Sequence, residues 1–591
     1  MASPLPLDYF GLLHRCEQCG TCSSACPLTD VDGFHIRRLL RHVELGFIDE
    51  IAATPMAWRC TVCARCETAC PNGVPILDIV RRLRMMAPAE HVPQEPVPCV
   101  AACPARIDVP GYLRLIAQGE PTKAYALILD SAPFPGVLGR LCPRPCEPAC
   151  LRAQVNQPVG ICALKRYAAD NAGALPADAL AVEPDTGRKL AIIGAGPAGL
   201  TAAFYLRRKG HSVTVLEARS RAGGMMRYAI PRYRLPEDVL EREIHQVLSL
   251  GIALETNQAL GVDFSLADLR DRGFEAVMLA TGLQQSKRID LEGTPHEDVS
   301  WGLDFLFAIG AGDEIEVKER VLIVGGGDVA VDAALSALRL GAREVTMACL
   351  ESRDEMPAHP REIEQALAEG VRLMTSWGPR RVLADNGRVS GVDLVRCVSV
   401  FDPEGRFRPT FGDEQTTVSA DQVILAIGQT SDLSVASDAR SLRVRDGLIV
   451  ADERSGKTDI GSVFAGGEIA TGPGALIAAI AEGKKVAAAI DAQLGGDGVV
   501  ERAGGERATN RLSDAYACYD GQRQRGFADR QRHEPPLLSV AERKQAFREV
   551  ERALDAAAAI EEAKRCLQCD LERHPERLIR RQETGACSSS R

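Results

Sequence analysis

Apolar residues recur at helical spacing in two stretches near the amino terminus. The first is FHIRRLLRHVELGFIDEIA at 34–52, and the second is VPILDIVRRLRMM at 74–86. Apolar side chains three and four residues apart would form one face of each helix, and charged residues would form the other. The pattern predicts an α-helical unit here, followed by a linker in APAEHVPQEPV at 87–97.

A different pattern begins near residue 190. LAIIGAGPAGLTAAFYLRRKGHSVTVLEA at 190–218 has an apolar run, a glycine-rich turn, a helical stretch and a second apolar run. VLIVGGGDVAVDAALSALRLGAREVTMACLE at 321–351 repeats that order. The repeat predicts two strand–turn–helix–strand units. Two further apolar runs, AVMLATG at 276–282 and QVILAIG at 422–428, are predicted to be strands that connect these units.

Composition and charge exclude several classes of function. The 591-residue chain has a formal net charge of −10 at pH 7 and no long block of lysine and arginine, so no binding to nucleic acid is expected. No run approaches the ~18 apolar residues of a membrane span. The first residues do not read as a secretory signal, so a cytoplasmic location is expected.

The twenty cysteines are the most informative residues of the chain. Fourteen lie before residue 163, two form a CxxC at 566–569, and four are scattered. In a chain without a secretory signal, such grouping favours metal binding over disulfide bonds.

Two motifs near the amino terminus share the spacing CxxCxxCxxxCP. Three cysteines at this spacing can surround a 4Fe4S cube, and in two-cluster ferredoxins the fourth binds the other cluster. On that pattern one cluster has Cys16, Cys19, Cys22 and Cys70 as ligands, and the other has Cys60, Cys63, Cys66 and Cys26. A pair of zinc sites is the alternative, although zinc ligands typically come as two separated pairs.

The helical insert and the segment WRCTVCARCETACPNGVPILDIVRRLR carry a first resemblance. Over residues 10–87 the chain resembles the small iron–sulfur subunit of heterodisulfide reductases. The resemblance implies electron transfer to a protein partner, with no substrate chemistry in this unit.

A second group of cysteines follows the linker. It comprises the cysteines of PCVAACPARIDVPGYL and GRLCPRPCEPAC together with Cys162, and EEAKRCLQCD supplies two more near the carboxyl terminus. From 99 to about 500 the chain resembles the NADPH-dependent glutamate synthase small subunit and the amino-terminal half of dihydropyrimidine dehydrogenase. The resemblance implies two more 4Fe4S clusters, one bound by Cys566, Cys569, Cys99 and Cys150, and one by Cys103, Cys142 and Cys146.

The fourth ligand of the last cluster is open at this point. Dihydropyrimidine dehydrogenase uses a glutamine there, and this chain has Lys165 at the matching place. Cys162 lies about one helical turn earlier and is the better thiolate candidate. Alternatively, Cys162 is a buried small apolar residue.

The first glycine-rich turn has the GxGxxG pattern of a dinucleotide site. Gly194 makes the tight turn, Gly196 lets a pyrophosphate approach, and Gly199 lets the helix pack on the strand, while Glu217 can bind ribose hydroxyls. The following ARSRAGGMMRYAIPRYRLP strengthens the resemblance, which implies FAD here. The implied FAD contacts also include Pro197, Ala198, Gly224, Gly282, Gly467 and Glu468, although the family usually has aspartate in place of the last.

The second glycine-rich turn contains Gly325, Gly327, Asp328 and Ala330. The resemblance implies that this unit binds the nicotinamide nucleotide. Relatives that use NADPH carry two arginines after the second strand, whereas this chain has Glu351. A carboxylate would repel a 2′-phosphate and can bind a free 2′-hydroxyl, so NAD(H) is expected in preference to NADP(H), although Arg353 could offset part of the repulsion.

The predicted fold is therefore a multidomain α plus α/β protein with two Rossmann-like domains, the second inserted in the first. The predicted segments are a ferredoxin-like two-cluster helical module at 1–90, a helical iron–sulfur domain at 91–185, an FAD-binding domain at 186–288 and 419–500, a NAD(P)-binding domain at 289–418, and an extension at 501–591 that returns the last CxxC to the iron–sulfur domain.

The predicted function is electron exchange between NAD(P)(H) and a ferredoxin or partner redox enzyme, through FAD and up to four 4Fe4S clusters. No nucleophile–base pair is evident, so the flavin is expected to carry the chemistry. The alternatives are the small subunit of a glutamate synthase and a scaffold with degenerate cofactor sites. The partner subunits and the direction of electron flow are not predicted.

Overall fold

The computed structural model describes residues 13–176, 178–433, 442–501, 519, 521–576 and 578. Parts of the first and last predicted segments, at 1–12, 502–518 and 579–591, lie outside the described residues.

The helices alternate with strands only after residue 188. The α-helices are α1 (Thr21–Ala25), α2 (Ile36–Glu44), α3 (Ile48–Ala52), α4 (Met56–Arg59), α5 (Arg65–Ala69), α6 (Ile76–Met86), α7 (Pro98–Ala101), α8 (Val109–Ala117), α9 (Pro121–Ser131), α10 (Pro135–Leu141), α11 (Ile161–Asp170), α12 (Pro197–Arg208), α13 (Met225–Tyr228), α14 (Glu237–Leu248), α15 (Leu266–Asp271), α16 (Gly302–Ala311), α17 (Asp328–Arg339), α18 (Pro360–Ala368), α19 (Glu468–Thr471), α20 (Leu476–Gln493), α21 (Val540–Arg543) and α22 (Ala556–Ala563).

The strands form two parallel sheets and several antiparallel pieces. They are β1 (Lys189–Ile193), β2 (Ser212–Glu217), β3 (Ala253–Thr256), β4 (Ala276–Leu279), β5 (Gln285–Ser286), β6 (Val299–Trp301), β7 (Arg320–Val324), β8 (Glu344–Cys349), β9 (Arg372–Thr375), β10 (Trp377–Asp385), β11 (Arg388–Phe401), β12 (Phe407–Ser419), β13 (Gln422–Leu425), β14 (Gln429–Thr430), β15 (Val444–Arg445), β16 (Leu448–Ile449) and β17 (Val463–Ala465).

The amino-terminal unit is helical because its apolar residues fall on one face of each main helix. In α2 the buried residues are Ile36, Leu39, Leu40 and Val43, which are spaced three and four apart. In α6 they include Ile76, Ile79, Val80 and Leu83. These faces pack together in one core that also contacts the cysteines of both motifs.

The two Rossmann-like sheets have the same parallel arrangement. The first has the order β17-β4-β1-β2-β3, and the second has the order β6-β13-β7-β8-β9. Each central strand leads through a glycine turn into the helix that covers the sheet, as the apolar pattern predicts.

The second sheet is inserted between strands of the first. The chain leaves after β4 and comes back to β17, and the two connections pair with each other through β5 and β14. The strand β13 follows the predicted boundary at 418/419, yet it pairs with β6 and β7 in the second sheet.

A three-stranded antiparallel sheet, β10-β11-β12, extends from the inserted unit. Its long strands expose several large apolar side chains, including Val398 at 70% and Phe407 at 59%. No strand was predicted for these residues.

The carboxyl-terminal segment returns to the helical iron–sulfur domain. Arg114 on α8 donates two hydrogen bonds to the Asp570 carboxylate, at 3.0 and 2.8 Å. The same guanidinium donates to Gln568 at 2.6 Å. Among the described helices, none is both long and apolar enough to cross a membrane.

Candidate redox centres

Three predicted cluster-binding loops, 16–19, 60–63 and 566–569, share one local turn. The third residue of each has a positive φ, of 57°, 54° and 54° respectively. In the latter two loops, the backbone N–H of Val62 or Gln568 donates to the sulfur of the first cysteine at 3.4 Å. Hydrogen bonds to ligand sulfurs are one determinant of cluster potential.

The amino-terminal cysteines line two separate cavities. The sulfur-bearing residues of the first are Cys16, Cys19, Cys22 and Cys70. Those of the second are Cys26, Cys60, Cys63 and Cys66. Each cavity therefore takes three cysteines from one motif and the last cysteine from the other, which is the exchange expected from the sequence.

A third set joins the two ends of the chain. Cys99 lies on α7, Cys150 precedes a short 3₁₀ turn at Leu151–Gln154, and Cys566 and Cys569 follow α22. Burial raises the pKa of the Cys99 thiol, and the nearby Cys566, Cys569 and Cys150 thiols raise it further. The structure thus brings these four residues together.

A fourth set surrounds the buried Lys165 side chain. The Cys142, Cys162, Cys146 and Cys103 thiols lie close enough to Lys165 to raise its pKa against the effect of burial. The Cys162 thiol is fully buried and lies 3.3 Å from the carbonyl oxygen of Leu138 and 3.4 Å from that of Gly139. Both candidates for the fourth ligand, Cys162 and Lys165, therefore lie at this set.

The chemistry of these donor sets fits iron–sulfur clusters. Burial raises the pKa of the Cys60 thiol to about 11 and that of Cys566 to about 12. Four buried thiolates need a cationic partner to remain ionised, and iron would supply it. Within the described ranges, no three His, Cys, Asp or Glu side chains are arranged to hold a single metal ion.

The second cavity and the third set share one apolar cluster. It contains Cys63, Val155, Phe527 and Leu567, and Cys569 packs against it. The predicted cluster-binding loops of the amino-terminal unit and of the carboxyl-terminal segment therefore pack together through this apolar cluster.

The predicted FAD site is formed at the carboxyl end of β1. A Cβ added at Gly199 would lie 2.0 Å from the carbonyl oxygen of Gly194, so only glycine permits this approach of helix to turn. The Glu217 carboxylate is buried and accepts hydrogen bonds from the backbone N–H groups of Ala195 at 2.8 Å and Arg219 at 2.9 Å. These bonds fix the acid at the end of β2.

The other predicted FAD contacts surround the same space. Gly194, Gly196, Pro197, Ala198, Glu217, Gly224, Gly282, Gly467 and Glu468 all line one large cavity. Glu468 accepts a hydrogen bond from the N–H of Gly474 at 3.0 Å, and burial raises its pKa. The donors and the glycine turn fit a dinucleotide pyrophosphate at the start of α12.

The second glycine turn has the matching geometry. Gly325 has a φ of +146°, and a Cβ there would lie 2.2 Å from the carbonyl oxygen of Ala426. The Glu351 carboxylate lies at the turn, since a Cβ added at Gly326 would meet it at 2.7 Å. Asp328 accepts from the N–H of His359 at 2.9 Å. Ala330 is buried under the turn, and Arg353 is not among the residues that line the cavity.

Both dinucleotide sites open into one cavity of about 1260 Å³. Its wall runs from Gly194 and Glu217 to Gly325 and Glu351, and it also includes Cys142 and Arg144. The two nucleotide sites and a cysteine of the fourth set therefore face one space.

Sequence reasoning missed several charged residues of this wall. Arg144, Arg234 and Glu362 line the cavity, and Arg234 pairs with Asp332 at 2.7 Å. The only signal in the sequence was the position of Arg144 inside CPRPC, between two predicted ligands.

Three protein-family models match parts of the chain. The pyridine nucleotide-disulphide oxidoreductase model matches residues 188–483. The model of dihydropyrimidine dehydrogenase domain II, 4Fe-4S cluster, matches 89–175, and a 4Fe-4S dicluster domain matches 15–75.

Several curated proteins are similar along most of their length. The NADP(+)-dependent formate dehydrogenase subunit beta of Moorella thermoacetica is 37% identical over 80% of this chain and 70% of its own. The NADPH-Fe(3+) oxidoreductase subunit beta of Geobacter sulfurreducens is 33% identical over 93% and 88%. The glutamate synthase [NADPH] small chain of Azospirillum brasilense is 34% identical over 67% and 86%.

Among solved structures, FprA from Mycobacterium tuberculosis is 16% identical, with a TM-score of 0.47 over 65% of this chain and 100% of that one. The family models and the curated relatives show that the chain belongs to the pyridine nucleotide-disulphide oxidoreductase family, as an NAD(P)H-linked electron-transfer flavoprotein that carries two 4Fe-4S domains.

Proposed function

We propose that the chain exchanges electrons between NAD(H) and a protein redox partner, through one FAD and four 4Fe4S clusters. The observation that carries this proposal is the single cavity shared by both dinucleotide sites, with Cys142 in its wall. A cluster bound by the fourth cysteine set would therefore lie beside this cavity.

Bound at the first site, FAD supplies the exchange between two-electron hydride chemistry and one-electron iron–sulfur chemistry. The protein's own residues bind and orient the two nucleotides. Gly194 and Glu217 line the cavity at the first site, and Gly325 and Glu351 line it at the second. Orientation of the reacting groups is one contribution that such a site makes to rate.

Beyond the cavity, the four cysteine sets form a series. The fourth set lies at the cavity wall, and the third contains the returning Cys566 and Cys569. The apolar cluster that contains Cys63, and against which Cys569 packs, continues the series to the amino-terminal pair. Cys19, which lines the first cavity, is exposed, so the amino-terminal end of the series is accessible to a partner.

NAD(H) is the proposed nucleotide. Glu351 lines the cavity beside the turn, where its charge would repel a 2′-phosphate. The names of similar proteins specify NADP or NADPH, so this choice needs a direct test. The ratio of kcat/KM for NADH to that for NADPH should exceed one, and a ratio below one would overturn the proposal.

Cys162 is the proposed fourth ligand of the cluster beside the cavity. Its thiol lies with Cys103, Cys142 and Cys146 around Lys165, which leaves Lys165 as a buried cation next to the cluster. A cation there would stabilise the negative charge that a cluster gains on reduction.

The partner is proposed to be a redox subunit of a larger complex in the cytoplasm. This rests on the exposed end of the cluster series and on relatives that are named as beta subunits. Anaerobic purification of the native assembly tests it. Co-purification of a glutamate synthase large subunit would favour the alternative function, and a chain that purifies alone would contradict the proposal.

A further inference from the structure

One arginine joins two cluster-binding loops that belong to different units. The Arg523 guanidinium donates from Nη2 to the carbonyl oxygen of Leu567 at 2.6 Å and from Nε to that of Val62 at 3.3 Å. Leu567 lies inside the 566–569 loop, and Val62 lies inside the 60–63 loop. A single side chain therefore bridges the backbones that bind the second and third cysteine sets.

The surroundings hold this guanidinium in one orientation. The Arg523 side chain is 4% exposed and lies 3.5 Å from the Glu572 carboxylate. Its guanidinium carbon lies 5.0 Å from the centre of the Tyr519 ring and 4.6 Å from that of the Phe527 ring. Planar guanidinium groups suit such stacking, and their N–H groups point in fixed directions.

Two further arginines lie at the contact between the 60–63 and 566–569 loops, which we call the seam. Arg84 donates to the carbonyl oxygen of Cys60 at 2.6 Å and to that of Glu572 at 3.1 Å. Arg152 donates to the carbonyl oxygen of Phe527 at 2.8 Å and to that of Arg565, next to the 566–569 loop, at 3.2 Å. Positive charge is thus concentrated between the two loops, and it would favour the reduced, more negative state of each cluster.

We propose that Arg523 is a positioning residue for this series of cysteine sets. Its bridge between Val62 and Leu567 would fix the position of the amino-terminal clusters relative to the central ones. The inference rests on the proposed electron-transfer function. It adds the identity of the side chain that holds the amino-terminal unit to the carboxyl-terminal segment. Arg523 acts through the loops and does not touch a nucleotide.

The test uses the full chain with its clusters and FAD, prepared without oxygen. Arg523→Gln removes both the charge and the planar guanidinium with its several N–H donors. Arg523→Lys keeps the charge, but its single ammonium group cannot reach both carbonyl oxygens. NADH should bleach the flavin at the wild-type rate in both variants. Transfer of electrons onward to the amino-terminal clusters should slow in both variants, because the two loops are no longer held at a fixed separation and the rate of electron transfer falls steeply with distance.

Two spectroscopic readouts separate positioning from a merely structural role. The magnetic coupling between clusters in the dithionite-reduced protein should weaken in both variants, since the loops lose their bridge. The reduction potential of the clusters should fall only in Arg523→Gln, since only that change removes the charge. Arg525→Gln, an exposed arginine two residues away, is the matched control and should behave as wild type.

Unchanged coupling and unchanged onward transfer in both variants would overturn the inference, as would loss of iron from Arg523→Lys. If wild-type protein itself shows no bleaching by NADH, the proposed function fails instead, and the two failures are therefore distinguishable.

Discussion

Arg81 and Glu572 are separated by 491 residues and form an ion pair of 2.8 Å in which both side chains are almost fully buried. Arg81 belongs to α6 of the amino-terminal unit, and Glu572 follows the last CxxC. Burial opposes the ionisation of Glu572, but its hydrogen bond with Arg81 holds its pKa below the ordinary value. The pair therefore joins the two ends of the chain at the seam between clusters.

Glu572→Gln should release the carboxyl-terminal segment, because it leaves Arg81 buried without a full counter-charge. Breaking a buried pair costs about 3–5 kcal/mol. We expect faster proteolysis within 521–576 and a lower unfolding midpoint. The control is Arg41→Gln, whose partner is Glu44 in the exposed pair of α2 and whose loss should cost less than about 0.5 kcal/mol. Equal effects of the two changes would contradict this account of the seam.

Glu351→Ser should shift nucleotide preference towards NADPH, because it removes the charge that opposes a 2′-phosphate while leaving a group that can bind it. The kcat/KM ratio of NADPH to NADH should rise by about tenfold or more. Glu355→Ser, which removes an exposed carboxylate four residues away, should leave the ratio unchanged. A ratio that stays constant in Glu351→Ser would show that this carboxylate does not contact the ribose.

Cys162→Ala should remove the cluster beside the flavin if its sulfur is the fourth ligand. Iron should then fall by about four atoms per chain. Lys165→Met keeps all the sulfurs and should retain that iron. The opposite result, with iron lost from Lys165→Met and kept in Cys162→Ala, would assign the fourth position to the lysine.

Glu243 should make stability depend on pH. Its carboxylate accepts from the N–H groups of Gly136 and Val137 at 2.6 and 3.0 Å, and burial raises its pKa from 4.5 to about 7. Between pH 4.5 and about 7 the folded protein binds more protons at Glu243 than the unfolded chain does. The free energy of unfolding therefore falls as pH rises through this range, by at most about 1.4 kcal/mol per pH unit.

Glu243→Gln cannot titrate and should lose this dependence. Thermal unfolding at about pH 5 and about pH 8 measures it, and the wild-type midpoint should drop more between the two than the variant midpoint. Parallel drops in both proteins would assign the pH dependence to other groups.

The sequence was most informative where function imposes local spacing. The run from β1 through α12 to β2 was predicted from apolar periodicity and glycine positions, because both are local properties of the chain. The exchange of Cys26 and Cys70 between motifs was expected from the pattern of two-cluster ferredoxins, which the repeated spacing matches. The return of Cys566 to the central domain, by contrast, was implied only by resemblance.

The contacts between units were not predictable, because they depend on tertiary docking. Arg523 and Val62 lie 461 residues apart, and no periodicity marks either of them. The long strands β11 and β12 were missed because they expose residues such as Val398 and Phe407, so they lack a clear apolar face.

The most direct test of the proposed electron transfer is whether NADH reduces clusters through the flavin of this one chain. Full-length protein prepared without oxygen should contain about 16 iron atoms per chain, and NADH should bleach its flavin and produce the paramagnetic signal of reduced 4Fe4S clusters. About eight iron atoms, or a flavin and clusters that stay oxidised with NADH, would contradict the account.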